Sequence, residues 1–176
     1  MKNWRWLTSI VVILIMVVLI GATGVIMAKK HTTSPEVGFI APNFTLTTMQ
    51  GKKLTLSQFR GKPVYINFFA SWCPPCQFET PDVEKMYKQY GHKITFIGVN
   101  LTFNDSVPKL KQFVKKYGVT YPVMLDSKGS VTQMYNVMAI PTSIFVEPNG
   151  VIQTRYEGAM IAQQMQTYFT KLLKSS

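Results

Sequence analysis

From Asn43 onward the spacing of apolar positions changes repeatedly, and each change marks an element. Asn43-Phe44-Thr45-Leu46-Thr47 alternates polar and apolar residues, the period of a half-buried strand. Gln50-Gly51-Lys52 is a turn signal, and Lys53-Leu54-Thr55-Leu56 returns as a partner, so the pattern predicts a β-hairpin. Ser57 can cap a short helical turn. Gly61-Lys62-Pro63 then leads into Val64–Ala70, which is nearly continuous in apolar residues. Such a run fits a central strand buried on both faces.

Farther on, Val83, Met86, Tyr87 and Tyr90 fall at helical spacing and Gly91 is placed to stop that helix. Ile94–Val99 reads as the next buried strand. Ser106 caps a helix carrying Leu110, Phe113, Val114 and Tyr117, with Gly118 at its end. Tyr121–Leu125 is a short strand, Asp126–Gly129 a turn, and Val131, Met134 and Tyr135 a helical piece. Thr142–Glu147 and Val151–Tyr156 flank Pro148-Asn149-Gly150 as a second hairpin. Ile161, Met165, Tyr168, Phe169, Leu172 and Leu173 form a closing amphipathic helix. The order β-β-(turn)-β-α-β-α-β-α-β-β-α implies an α/β fold, a mixed sheet with helices on both faces. There is no internal repeat and no low-complexity segment.

A different pattern occupies the start of the chain. Leu7–Ala28 is a stretch of 22 residues without a charge, long enough as a helix to cross a bilayer core of roughly 30 Å. A cleaved secretory signal is the alternative, but its apolar core is about 7–15 residues and ends in a small-x-small site; here Ile26-Met27-Ala28 puts a bulky residue before the site. The expected organisation is a short cytoplasmic tail over 1–6, a transmembrane anchor over 7–28, a polar tether over 29–38 and a folded domain over 39–176. Lys2 and Arg5 before the span and Lys29 and Lys30 after it leave only a slight bias of orientation.

The formal charge of +11 alters the picture little. A nucleic-acid interface needs basic residues clustered with stacking aromatics, whereas these lysines are spread out. Their densest group, Lys109, Lys111, Lys115 and Lys116, reads as a solvated helix face, with a mild attraction to anionic membrane or acidic partners. No nucleic-acid partner is expected.

The candidate chemistry lies in Trp72-Cys73-Pro74-Pro75-Cys76, which holds both cysteines of the chain. A static disulfide at this spacing closes a very small loop and stabilises little. A zinc site needs further Cys or His ligands, and His31 and His92 lie in the tether and just past a helix. The favoured reading is a reactive couple, because the start of a helix favours a thiolate. Cys73 is expected near the surface as the attacking thiolate, and Cys76, one turn inside, as the resolving thiol. Pro74 and Pro75 suit the first helical turn. Trp72 is either a contact surface beside the couple or a core aromatic.

Three more residues join this group. Glu79, three positions after Cys76, shares its helix face. It is either an exposed first-turn acid or a partly buried carboxylate of raised pKa that handles the Cys76 proton. Pro81 removes one hydrogen bond inside the helix. Ile140-Pro141, entering a strand, is a candidate cis bond.

Together these marks resemble the thioredoxin superfamily over residues 36–174, through the strand–Trp-Cys-x-x-Cys–helix unit, Pro81 and Ile140-Pro141-Thr142. The leading segment Gly38–Phe44, the Gly61-Lys62-Pro63 entry and Glu79 make the chain similar to membrane-anchored thiol-disulfide oxidoreductases of the ResA/TlpA type. The resemblance implies a thioredoxin-like mixed sheet flanked by helices, with an extra N-terminal hairpin and a single transmembrane helix. It implies a cis Pro141 packed against the disulfide, where it helps hold an extended substrate, and a buried glutamate at Glu79 that tunes the thiols; Trp72 and Ile140 are the further candidates for substrate binding. Thioredoxin itself carries a buried aspartate where this chain has Asn67, so carboxylate assistance has to come from Glu79.

The same resemblance implies a single-pass bacterial membrane protein with its catalytic domain outside the cytoplasmic membrane; a monomer is expected. Its partners are a client protein bearing a disulfide, such as an apocytochrome c or a cortex-assembly client, and a membrane electron-relay thiol protein as reductant. No organic cofactor or metal is required. The expected activity is a protein-disulfide reductase. Rival readings are a disulfide-donating oxidase, a copper carrier using soft thiolates and a non-enzymatic membrane scaffold.

Overall fold

The computed structural model describes residues 32–175. The expected tail over 1–6 and anchor over 7–28 lie outside the described residues; among the described residues no helix is long and apolar enough to cross a membrane. The described chain builds one mixed sheet. Its strands are β1 (Thr45–Thr48), β2 (Lys53–Thr55), β3 (Val64–Phe69), β4 (Thr95–Asn100), β5 (Val123–Leu125), β6 (Thr142–Val146) and β7 (Ile152–Glu157). Its helices are α1 (Pro74–Tyr90), α2 (Val107–Tyr117), α3 (Ser130–Met134) and α4 (Ala162–Lys174). The sheet order is β2-β1-β5-β4-β3-β6-β7. β3, β4 and β5 run parallel, and the remaining pairs are antiparallel.

β3 lies between β4 and β6 and all six of its residues are buried. The strand's period of two then separates its side chains. Tyr65 and Phe69 pack with α1, α2 and α4, in a core that includes Val83, Met86, Leu110, Phe113, Met165 and Phe169. Val64, Ile66 and Phe68 face the opposite layer, with Phe44, Leu56, Val131 and Tyr135. Phe169 of α4 stacks at 5.1–5.6 Å between centroids on Tyr65, Tyr90, Phe96 and Phe145.

The segment read as a tether is tied down over its later part. Thr33 bridges Ile40, and the Gly38 N–H donates to the Ile152 carbonyl at 2.8 Å. Ile152 N–H donates to Phe39 and Ala41 N–H to Gly150. These bonds cover the start of the outer edge of β7, at Ile152, where no further strand pairs. Polar composition concealed this role because the pairing uses backbone rather than apolar side chains.

Candidate active site

Ala70 ends the buried run of β3, and Ser71 and Trp72 turn the chain into α1. The turn is held from outside by Asp105. Its carboxylate accepts from Ser71 N–H and Oγ, both at 2.6 Å, from Asn100 Nδ2 at 2.9 Å and from Ser106 N–H at 2.7 Å. Burial raises the Asp105 pKa, but the bonds from Ser71, Asn100 and Ser106 outweigh it and hold the carboxyl below its ordinary value. Trp72 is 48 % exposed, so it is no core aromatic, and its indole Nε1–H donates to the Asn104 carbonyl at 2.7 Å.

Cys73 and Cys76 are joined in a disulfide. Cys73 is the N-cap of α1 and its sulfur accepts the Cys76 backbone N–H at 3.3 Å. Pro74 and Pro75 occupy the first helical positions, where a missing N–H costs little. Cys76 is fully buried. Cys73 departs from the sequence expectation of a sulfur near the surface, since the residue is only 3 % exposed. Its sulfur is bonded to Cys76, and the Ile140 carbonyl oxygen lies 3.6 Å from it. Ile140–Pro141 is a cis peptide bond, with Ile140 half-buried and Pro141 buried. The loop before β6 thus reaches the disulfide at the Cys73 sulfur.

Glu79 is 1 % exposed, which removes the reading of an exposed first-turn acid. Its Oε1 accepts from Asn67 Nδ2 at 2.8 Å and its Oε2 from Met160 N–H at 3.1 Å. Asn67 occupies the β3 position between Tyr65 and Phe69, so it faces α1 rather than the opposite layer. Its partner across the antiparallel β3–β6 pair is Ser143, whose Oγ lies 3.3 Å from Asn67 Nδ2 and 2.9 Å from the Tyr65 hydroxyl. Glu79, Asn67, Ser143 and Tyr65 therefore form one buried polar chain. Burial pushes the Glu79 carboxyl up to about 7, against the bonds from Met160 and Asn67 and with added repulsion from Asp82. Tyr65 and Tyr121 are held far above the ordinary tyrosine range by burial first and by Glu79 second.

Sequence reasoning singled out Asn67 only as a substitution for an acid, and missed Ser143, Met160 and Asp105 as parts of this site. Ser143 and Met160 are 76 and 81 positions from their partners Asn67 and Glu79, beyond any local spacing rule. Asp82 does carry a local signal, one turn beyond Glu79, and accepts the Ala162 N–H at 2.9 Å. Glu79 and Asp82 together bind the backbone just before and at the start of α4. Among the described residues no group of three or more His, Cys, Asp or Glu is arranged to hold a metal.

The AhpC/TSA family pattern matches residues 37–155 of this chain. The chain belongs to that family. The thiol-disulfide oxidoreductase ResA of Bacillus thuringiensis subsp. konkukian (strain 97-27) is 33% identical over 175 residues, 98% of this chain and 99% of its own. The thioredoxin-like protein YneN of Bacillus subtilis (strain 168) is 36% identical, over 92% of this chain and 95% of its own. Among solved structures, MTB DsbF in its mixed oxidized and reduced forms is similar with a TM-score of 0.69 and 32% identity, covering 73% of this chain and 94% of that one. With a bridged Cys-x-x-Cys pair at the start of α1, this family member is a thiol-disulfide oxidoreductase. Its sheet and flanking helices are those of the thioredoxin-like fold.

Proposed function

We propose that the chain reduces disulfides of client proteins outside the cytoplasm, as a monomer held to the membrane by residues 7–28. The observation that carries this reading is the Cys73 sulfur capping α1, on the helix that buries the Glu79 carboxyl one turn after Cys76. In the dithiol form, the Cys76 N–H and the helix dipole stabilise a thiolate on Cys73. That thiolate attacks one sulfur of the client disulfide, forms a mixed disulfide and expels the other client sulfur as thiolate. Cys76 then passes its proton toward Glu79 and attacks the Cys73 sulfur. The Cys73–Cys76 disulfide forms, the second client sulfur leaves, and two electrons have moved to the client. A membrane electron-relay thiol protein restores the dithiol by the same exchange in reverse.

Ile140 and Pro141 border the disulfide and Trp72 stands half-exposed beside it, which supports their role as the surface that receives the client. The uncharged run Leu7–Ala28, long enough as a helix to cross a bilayer core, supports the membrane setting. An apocytochrome c or a cortex-assembly protein is the client class proposed. Cys76→Ser tests the sequence of events: the full-length protein is expected to accumulate a mixed disulfide through Cys73, and Cys73→Ser none. Absence of any captured client overturns the reductase reading, as does a reduction potential near the strong oxidants, about −120 mV.

A further inference from the structure

The lysine pattern of α2 predicts a solvated face, and the structure puts two of these lysines in a groove with Trp72, the residue before Cys73. A groove of about 370 Å³ runs between the start of α1 and α2. Trp72 and Gln77 line it from the cysteine side, Lys109 and Lys116 from α2, and Phe113 and Tyr117 add apolar surface. Lys109 and Lys116 are seven positions apart, two turns along one helix face, and both are exposed. The Lys116 ammonium sits 5.0 Å from the centroid of the Tyr117 ring.

This positive charge has no internal counterpart. α2 carries four lysines and no acid, and among the described residues the ion pairs are Lys88–Glu84 and Arg155–Glu157. The acids of the neighbouring elements are committed elsewhere. Asp105 accepts from Ser71, Asn100 and Ser106, Glu84 accepts from the Thr120 N–H and hydroxyl, and Glu79 and Asp82 bind the backbone before α4. Trp72, adjacent to Cys73 in the chain, is held by its bond to Asn104 and forms one wall of the groove.

We propose that this groove docks an acidic segment of the redox partner, with Asp or Glu side chains flanking the partner's cysteines meeting Lys109 and Lys116. The inference rests on the proposed exchange with protein disulfides and names the chemistry of the partner. A polypeptide is favoured over anionic lipid because the charge shares a groove with Trp72, the neighbour of the Cys73 that would hold the partner. The attraction acts mainly on encounter, so it raises the exchange rate and weakens with salt.

The test uses the full-length dithiol protein in neutral detergent and two disulfide peptides, one with aspartates flanking the cysteines and one with serines. The readout is the ratio of their exchange rates, in which a general loss of activity cancels. The ratio is expected to favour the acidic peptide about tenfold at low ionic strength and to approach unity at high salt. Lys109→Gln with Lys116→Gln abolishes the preference, and Lys109→Glu with Lys116→Glu inverts it. A ratio unchanged by both double variants overturns the proposal; loss of affinity for anionic phospholipid vesicles in the same variants then assigns the lysines to a membrane surface. Exchange with a small uncharged disulfide separates the two levels of argument. If the parent protein reacts with it but shows no charge preference, only the docking proposal fails; if it reacts with no disulfide, the exchange reading fails and takes the docking proposal with it.

Discussion

The Asn67 side-chain amide donates to Glu79 Oε1 at 2.8 Å, joining the central strand to the helix that carries both cysteines. An amide at this place can donate to the carboxylate but cannot exchange protons at neutral pH. Glu79 is then the group on that face whose charge changes near pH 7, its pKa standing at about 7.

That pKa makes stability pH-dependent. The folded value of about 7 lies above the ordinary 4.5, so the folded state binds the extra proton. Its contribution is complete below about pH 4.5 and is lost as pH rises to about 7. For the disulfide form, Glu79→Gln is expected to remove this slope and gain about 3 kcal/mol relative to the parent across the window. Denaturant titrations at several pH values check it; parallel stability curves for parent and variant defeat it.

The same variant bears on chemistry. If Glu79 receives the Cys76 proton, Glu79→Gln shifts the pH profile of resolution of a mixed disulfide, while attack by Cys73 keeps its own profile. Stopped-flow exchange with a thiol-labelled peptide separates the steps. An unaltered resolution profile limits Glu79 to its structural bonds with Asn67 and Met160.

Asn67→Asp places a second carboxylate against Glu79 Oε1. Two such groups cannot both ionise easily, so the pair holds one proton to higher pH than Glu79 alone does. The expected result is an upward shift of the upper apparent pKa and a loss of stability at pH 8. Infrared or NMR titration of the carboxyl groups reads the shift directly.

Asp105→Ala removes the acceptor for Ser71, Asn100 and Ser106. Loss of these charge-assisted bonds is expected to cost about 2–3 kcal/mol. It also frees the turn that positions Trp72 and Cys73, so exchange slows. Asp105→Asn keeps one acceptor oxygen and sets an amide N–H2 against the donors of the other, so it is expected to recover only part of the loss; full recovery would show that half of the bonds suffice.

Phe169→Ala opens a void among Tyr65, Tyr90, Phe96 and Phe145. A loss of about 3–5 kcal/mol is expected, with Phe169→Leu losing less. Thermal unfolding followed by circular dichroism measures both.

Much of this protein was legible along the chain because the relevant information is local. Strand and helix periods need only a few neighbouring residues, so the hairpin of β1 and β2, the buried run of β3 and the amphipathic α4 could be read directly. The Cys-x-x-Cys spacing at the start of a helix likewise carries its chemistry within one turn. Even the candidacy of Glu79 followed from a spacing of three.

Tertiary structure decided what those residues experience. Whether Glu79 is a solvated acid or a buried one depends on Asn67 across the sheet–helix interface and on Met160, 81 residues away. Whether Cys73 is open or covered depends on the Ile140 carbonyl, 67 positions away. The lysines of α2 became a groove wall only when Trp72 was packed beside them. Burial, proton affinity and charge complementarity arise from groups brought together in space, and pairings over such separations leave no period in the sequence.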